Sequence, residues 1–330
     1  MPTAEELFRA ASRAGHTVLP PDVALRTVSR SDVDAAVADG VLVEVEWQGV
    51  AAWALTDVAE SEELLADGLA TLAEENRLAV VAGPDPAGRR VALARALGAG
   101  VPAVVLDEAH RVGLDDVLAA VEDLPEDAVL VLSLDNGLPL GAVTGAVALD
   151  VAASGVCPVL VGDSERDPRA LGVARAAVAS GRWSTPAADD RSLVLVPVTS
   201  PDECVVRVQQ LVTTSIPRAF GVAEIAVVAT DPGGVVGVDA LRATLGDLPG
   251  VEVVAAMDAV DRVWPASVVV LPGAVTPSLT RSVVYAGLRT GREHVSIVHG
   301  FGPDAGGLAQ LVATTTDRPR RTRLAELLRA

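Results

Sequence analysis

The chain has 330 residues, 50% hydrophobic and 21% charged, enough apolar material for a large buried core and too much for a disordered protein. Its formal net charge of −18 and aromatic content of 2% exclude a generally DNA-adhesive surface and a row of base-stacking rings. No apolar run reaches the roughly 18 residues of a membrane span, and the acidic amphipathic start has no apolar signal core, so a cytoplasmic protein without a membrane partner is expected.

Residues 4–14 place Leu7, Phe8 and Ala11 at helical spacing before Gly15. A second helix is expected near 21–28. Ser31 with Asp34 marks the start of a third, Asp32 to Asp39, stopped by Gly40. Residues 41–47 and 50–55 alternate around Gln48 and Gly49 and predict a β-hairpin. Together these outline a small winged-helix-like α+β module over residues 1–57. Such modules hold DNA with a basic helix; here Asp32, Asp34 and Asp39 face a single Arg30, so packing or protein contact is the expected use.

Residues 57–76 read as a long acidic helix with Leu64, Leu65, Leu69 and Leu72 on one face. The apolar run Leu78 to Ala82 then feeds Gly83-Pro-Asp-Pro-Ala-Gly88-Arg89-Arg90 and a helix to about Leu97. A strand, a glycine-rich turn and a helix N-terminus in that order can cradle phosphate with backbone N–H groups. Val104 to Leu106 leads into a second feature, the consecutive carboxylates Asp107 and Glu108, with His110 read as a surface residue beyond the turn. The pattern GxxxxGK[ST] needs a lysine after its second glycine and then a hydroxyl for Mg²⁺. Those positions hold Arg89 and Arg90, and all 26 basic residues of the chain are arginine. A wide planar guanidinium replaces a compact ammonium poorly, and Arg90 supplies no hydroxyl. Gly83 and Gly88 serve the turn with or without phosphate. No cofactor is required on this reading, and weak binding of ATP or another nucleotide is the most the loop offers.

A helix at 114–121, a strand at 128–133, a helix at 145–154 and a strand at 156–161 follow, then a polar stretch from Ser184 to Arg191. The second half alternates again, with strands expected at 192–198, 224–229, 251–255, 267–271 and 294–298, and helices at 201–215, 238–245 and 279–290. The fold class is therefore α/β: two tandem RecA-like P-loop lobes with parallel sheets, over 58–185 and 186–330, behind the winged-helix-like module. Cys157 and Cys204 lie in apolar stretches and read as buried thiols, and the four histidines have no zinc spacing, so no metal site is expected. The basic tail from Arg318, ending in a short helix, reads as a solvated end.

Several stretches carry a family resemblance: Gly15-His-Thr-Val-Leu-Pro20, Val105-Leu-Asp107-Glu108-Ala109, Leu132 to Gly145 around Leu138-Pro139, Ile216 to Gly221, and Leu279-Thr-Arg281 with Tyr285 to Arg292. In this order they resemble motifs of the RecD-like branch of superfamily 1 DNA helicases, in its long form with an amino-terminal extension. The resemblance implies that Asp107 and Glu108 descend from the pair that holds Mg²⁺ and orients water. It also implies nucleotide contacts from Gly83, Gly88, Arg89, Arg90, Arg166, Arg289 and Arg292. The departures matter as much. The γ-phosphate-sensing glutamine is Gly137, the glutamine after Arg166 is Asp167, and Thr290 fills the first arginine position of the last motif. Between Leu245 and Val268 there is no room for the small inserted barrel of active members.

The expectation is a shortened, catalytically degenerate pseudo-helicase acting as a structural or regulatory subunit. Its partner is expected to be a protein, basic or a DNA-processing enzyme, with nucleic-acid contact weak. A slow or nucleotide-sensing ATPase, and an accessory DNA-binding protein of repair or recombination, stay open as alternatives.

Overall fold

Two reciprocal side-chain caps set the first elements. Thr3 accepts from the Glu6 amide while Glu6 accepts from the Thr3 amide, starting α1 (Ala4–Arg13). After the single turn of α2 (Pro21–Ala24), shorter than expected, Ser29 and Asp32 cap α3 (Arg30–Ala38). The cap lies two residues ahead of the Ser31–Asp34 pair, because Ser29 is the residue with extended backbone and Asp32 returns to its amide. β1 (Leu42–Trp47) and β2 (Val50–Leu55) pair antiparallel across a two-residue turn, with Gln48 and Gly49 at φ 52° and 73°. Phe8, Val33, Leu42, Trp53 and Leu55 form the core of this module.

The computed structural model describes residues 2–330 except 99, 136, 140–142, 163–168, 184, 187–188, 232, 261, 275, 277–278, 303–305 and 316–319. α4 (Thr56–Glu74) follows the hairpin directly and buries Leu65, Leu69 and Leu72, whereas Leu64, expected on the same face, is 60% exposed. Then come β3 (Leu78–Ala82), α5 (Pro86–Leu97), β4 (Ala103–Leu106), α6 (Leu114–Glu122), β5 (Val129–Leu134), α7 (Val147–Ser154) and β6 (Val159–Val161). Their sheet runs β4-β5-β3-β6, all parallel, so one strand separates the glycine-rich turn's strand from the carboxylate-bearing one. Strand alternation splits the apolar residues between two faces. Leu78, Val80, Leu130, Leu132 and Leu134 pack with residues of α4, α6 and α7, while Val81, Val129 and Val131 pack with Ala92, Leu93 and Leu97 of α5.

The second sheet is also wholly parallel, in the order β7-β11-β10-β8-β9. Its elements are α8 (Ala170–Ala179), β7 (Leu193–Pro197), α9 (Pro201–Gln210), α10 (Ile216–Phe220), β8 (Ile225–Ala229), α11 (Val238–Leu245), β9 (Val251–Ala255), β10 (Trp264–Leu271), α12 (Arg281–Arg289), β11 (Gly291–His299) and α13 (Gly306–Thr314). Residues of α8, α12 and α13 share one core, and those of α9, α10 and α11 share the other. α8 and α13 had no counterpart among the expected elements, since both are Ala- and Gly-rich runs with weak apolar periodicity. The architecture is the α/β, two-sheet arrangement expected of paired RecA-like lobes.

Two compact units result. The first comprises Met1–Asn136, Leu140–Glu165 and Arg318–Ala330, and the second Gly137–Pro139 and Arg166–Asp317. α8 therefore belongs with the second sheet and the tail with the first, at variance with the 185/186 boundary expected from composition. The tail is not a solvated end. Its short helix α14 (Leu324–Leu327) buries Leu324, and Arg323 is 5% exposed beside Glu62. Cys157 and Cys204 are free and buried, and burial pushes both thiols up, Cys204 to about 11. Among the described residues no helix is long and apolar enough to cross a membrane, and no cluster of three or more His, Cys, Asp or Glu could hold a metal.

Candidate nucleotide site

Asp85 fixes the loop after β3. Its carboxylate accepts from the Ala87 and Gly88 amides at 3.0 Å each, and Pro86 occupies the first helical position, so α5 starts with a full N-cap. Those are the amides that a phosphate at this helix N-terminus would use. The chain's own carboxylate already fills the role of the anion.

Arg89 lies one turn in and is 2% exposed. Its guanidinium donates to four acceptors: the Gly83 carbonyl at 2.8 Å, the Ser133 hydroxyl at 3.0 Å, Asp107 Oδ1 at 3.2 Å and Glu108 Oε1 at 2.6 Å. Ser133 is there because β5 alternates: Val129, Val131 and Ser133 share the α5 face. The Ser133 hydroxyl in turn donates to Asp107 at 2.8 Å. Burial pulls the Asp107 carboxyl upward, but the Ser133 hydroxyl and the Arg89 guanidinium more than offset it, holding the group below its ordinary value. Glu108 adopts φ 50°, ψ 41°, a left-handed conformation that costs a non-glycine residue roughly 1–2 kcal/mol. Its short charge-assisted bond to Arg89 offsets that cost.

The far wall of the loop is backbone. Gly162, just past β6, approaches so closely that a Cβ there would meet the Arg89 nitrogen at 2.7 Å and the Gly88 carbonyl carbon at 2.9 Å. A side chain at 162 would push β6 off the loop. Arginine at position 89 thus lies under the turn, clamped between a sheet face and the two carboxylates.

These residues do not fit a magnesium nucleotide. The helix-terminal amides are capped by Asp85, the cation is engaged by its own acceptors, both carboxylates are held by that cation, and the hydroxyl position is Arg90, which is exposed. The charge sum points the same way: one buried guanidinium stands against Asp85, Asp107 and Glu108, so a polyphosphate meets net negative charge.

The structure places Gly83, Gly88, Arg89, Asp107 and Glu108 around one loop. Sequence reasoning missed Asp85, which the Asp-Pro pair before a helix would signal, Ser133, which strand alternation would signal, and Gly162, for which one sequence gives no signal. His110, expected at the surface, is 3% exposed: the turn Ala109–Arg111 folds it inward, and its Nδ1 lies 3.5 Å from Glu108 Oε2. Arg166 lies outside the described residues. In the second unit Arg289 is half-buried at the end of α12 and Arg292 is exposed on β11. Gly137 packs on the buried ring of Tyr285, and a Cβ there would meet Tyr285 Cε1 at 2.8 Å. The aromatic ring takes the space that a longer side chain at 137 would need.

No protein-family model matches the chain, and no curated protein matches it. Among solved structures it is similar to arterivirus nonstructural protein 10, a helicase, at 12% identity and a TM-score of 0.36, covering 80% of this chain and 72% of that one. It is similar to the PRRSV helicase at 12% identity and a TM-score of 0.37, covering 82% of this chain and 60% of that one. Both scores fall below 0.5, and the chemistry of the site rests on its own side chains.

Proposed function

We propose that this chain is a helicase-related pseudo-enzyme, a degenerate relative of the RecD-like branch, whose phosphate cradle is closed by its own side chains and whose work is to bind protein. The single observation that carries this reading is the fourfold engagement of Arg89 under the loop. Phosphoryl transfer depends on positioned positive charge, a metal shell and free backbone donors around the transferred group. Here each of these is consumed internally. A scaffold that keeps two parallel-sheet units while spending its catalytic groups on each other is suited to a structural or regulatory role, and the net charge of −18 suits a basic partner.

The test is turnover. Purified full-length protein with Mg-ATP, with and without single-stranded DNA, should release phosphate no faster than a buffer control and should leave a partial duplex intact. Motor-like hydrolysis or strand separation would overturn the proposal.

A further inference from the structure

β1 has an open edge. The two-residue turn makes Trp47 and Val50 the closing pair of the hairpin, and the Thr56 amide donates to the Val41 carbonyl at the other end. Antiparallel alternation between these two pairs turns the N–H and C=O groups of Val43 and Val45 toward β2 and those of Leu42, Glu44 and Glu46 outward. Among the described residues no backbone partner meets the outward groups. The opposite edge of the hairpin is covered, since Leu19 bridges Trp53. Unpaired edges invite strand addition, and the fold leaves this one exposed at Glu44 and Glu46, while Leu42 is buried in the module's core.

Beside that edge runs a groove of about 410 Å³ between β1 and α4, with Val43, Val45 and Ala59 among its lining and Glu44, Glu60 and Glu63 as its acidic residues. Val43 and Val45 are only partly buried against Ala52, Ala54 and Val18. Arg323 is the single cation in the lining, and Glu63 is already paired with it at 3.1 Å. Glu44 and Glu60 are exposed and, among the described residues, have no ion-pair partner. The place therefore offers main-chain hydrogen bonds, apolar contact for alternate side chains and net negative charge.

We propose that the β1 edge and this groove take up an extended basic segment of a partner protein as an added strand. Its arginine or lysine side chains on one face would meet Glu44, and its alternate apolar side chains would lie over Val43 and Val45 on the other, with Glu60 of the groove wall adding negative charge beside them. This gives a partner class to the protein-binding role proposed above and rests on that reading, but it involves none of the phosphate-loop residues.

The probe is a fluorescent peptide of alternating lysine and valine, titrated into the full-length protein at low salt, with an alternating glutamate and valine peptide as control. The basic peptide should bind and weaken as salt rises, the acidic one should not, and binding should slow hydrogen exchange at the exposed Glu44 and Glu46 amides. Glu60→Arg, on the exposed face of α4, should weaken binding at least tenfold. Glu44→Pro, which deletes an outward N–H and leaves the β1–β2 bonds in place, should abolish it with an unchanged circular-dichroism spectrum. Equal affinity for both variants, or protection spread over other acidic surfaces, would overturn the site. Neither result bears on ATP turnover, so failure here and failure of the pseudo-enzyme reading are separate outcomes.

Discussion

Arg89 and Arg323 are buried alike, at 2% and 5% exposure, and each is held by two consecutive carboxylates and a backbone carbonyl. The clusters differ in how deep the carboxylates lie. Glu62 is 1% exposed and collects the Thr17 hydroxyl, the Arg323 guanidinium and the amides of Arg323 and Leu324, tying the tail to α4 and the amino-terminal module. Asp107 and Glu108 stay 49% and 28% exposed at the mouth of the loop. One arginine therefore fastens the tail to α4, and the other lies under a loop whose carboxylates solvent still reaches. The titration directions separate them further. Burial pushes the Glu62 carboxyl up despite Arg323 and Thr17, whereas at Asp107 the Ser133 and Arg89 contacts overcome burial and hold it down.

The largest expected effect tests the deeper cluster. Arg323→Ala leaves Glu62 as an unpaired buried charge and should cost about 3–5 kcal/mol of unfolding free energy in urea. A loss below about 1 kcal/mol would erase the contrast between the two arginines. Asp150 belongs to the same region, and its carboxyl is raised to about 7 by burial and the nearby charge of Glu62, with the Thr322 hydroxyl, Arg320 and Arg329 pulling the other way. Its folded value exceeds its unfolded one, so its contribution is complete below the ordinary carboxylate range and is lost as pH rises through about 7. Asp150→Asn should flatten that decline, a difference on the order of a few kcal/mol between pH 5 and pH 8 in urea midpoints.

Arg89→Ala should cost less, about 1–3 kcal/mol, because the carboxylates it abandons are partly hydrated. Asp107 sharpens the comparison through its sign. Its folded value lies below its unfolded one, so its contribution is present above the ordinary carboxylate range and is lost as pH falls through the folded value. In Arg89→Ala the carboxyl should move back up, which a carbon-13 titration of the side chain reads directly. The smallest change is Asp85→Ala, about 1 kcal/mol for a lost N-cap. It should also free the Ala87 and Gly88 amides and raise the affinity for inorganic phosphate above that of the unaltered chain.

Much of this site was legible because a strand, a glycine turn and a helix start leave a fixed spacing in the chain. That spacing says where the Arg89 side chain begins but not whom it meets. Asp107 and Glu108 were visible as a pair at a strand end, yet their engagement by Arg89 depends on β5 lying between the two strands, which only the sheet order reveals. The tail was misread for the opposite reason. A run of arginines looks solvated by composition, while the partner that buries Arg323 lies 261 residues away on α4. His110 went astray because a single tight turn, not a helix or strand period, folds it inward. The central strands β5 and β8 were the most readable, since fully buried parallel strands are nearly continuous apolar runs of Val, Leu, Ile and Ala.

Calorimetric titration of Mg-ATP into the intact protein measures the closed cradle most directly. With Arg89 satisfied by Ser133, Gly83, Asp107 and Glu108, no saturable heat should appear at millimolar nucleotide. A saturable isotherm that disappears when Arg89 is replaced would mean that the guanidinium receives phosphate instead of blocking it, and would contradict the account.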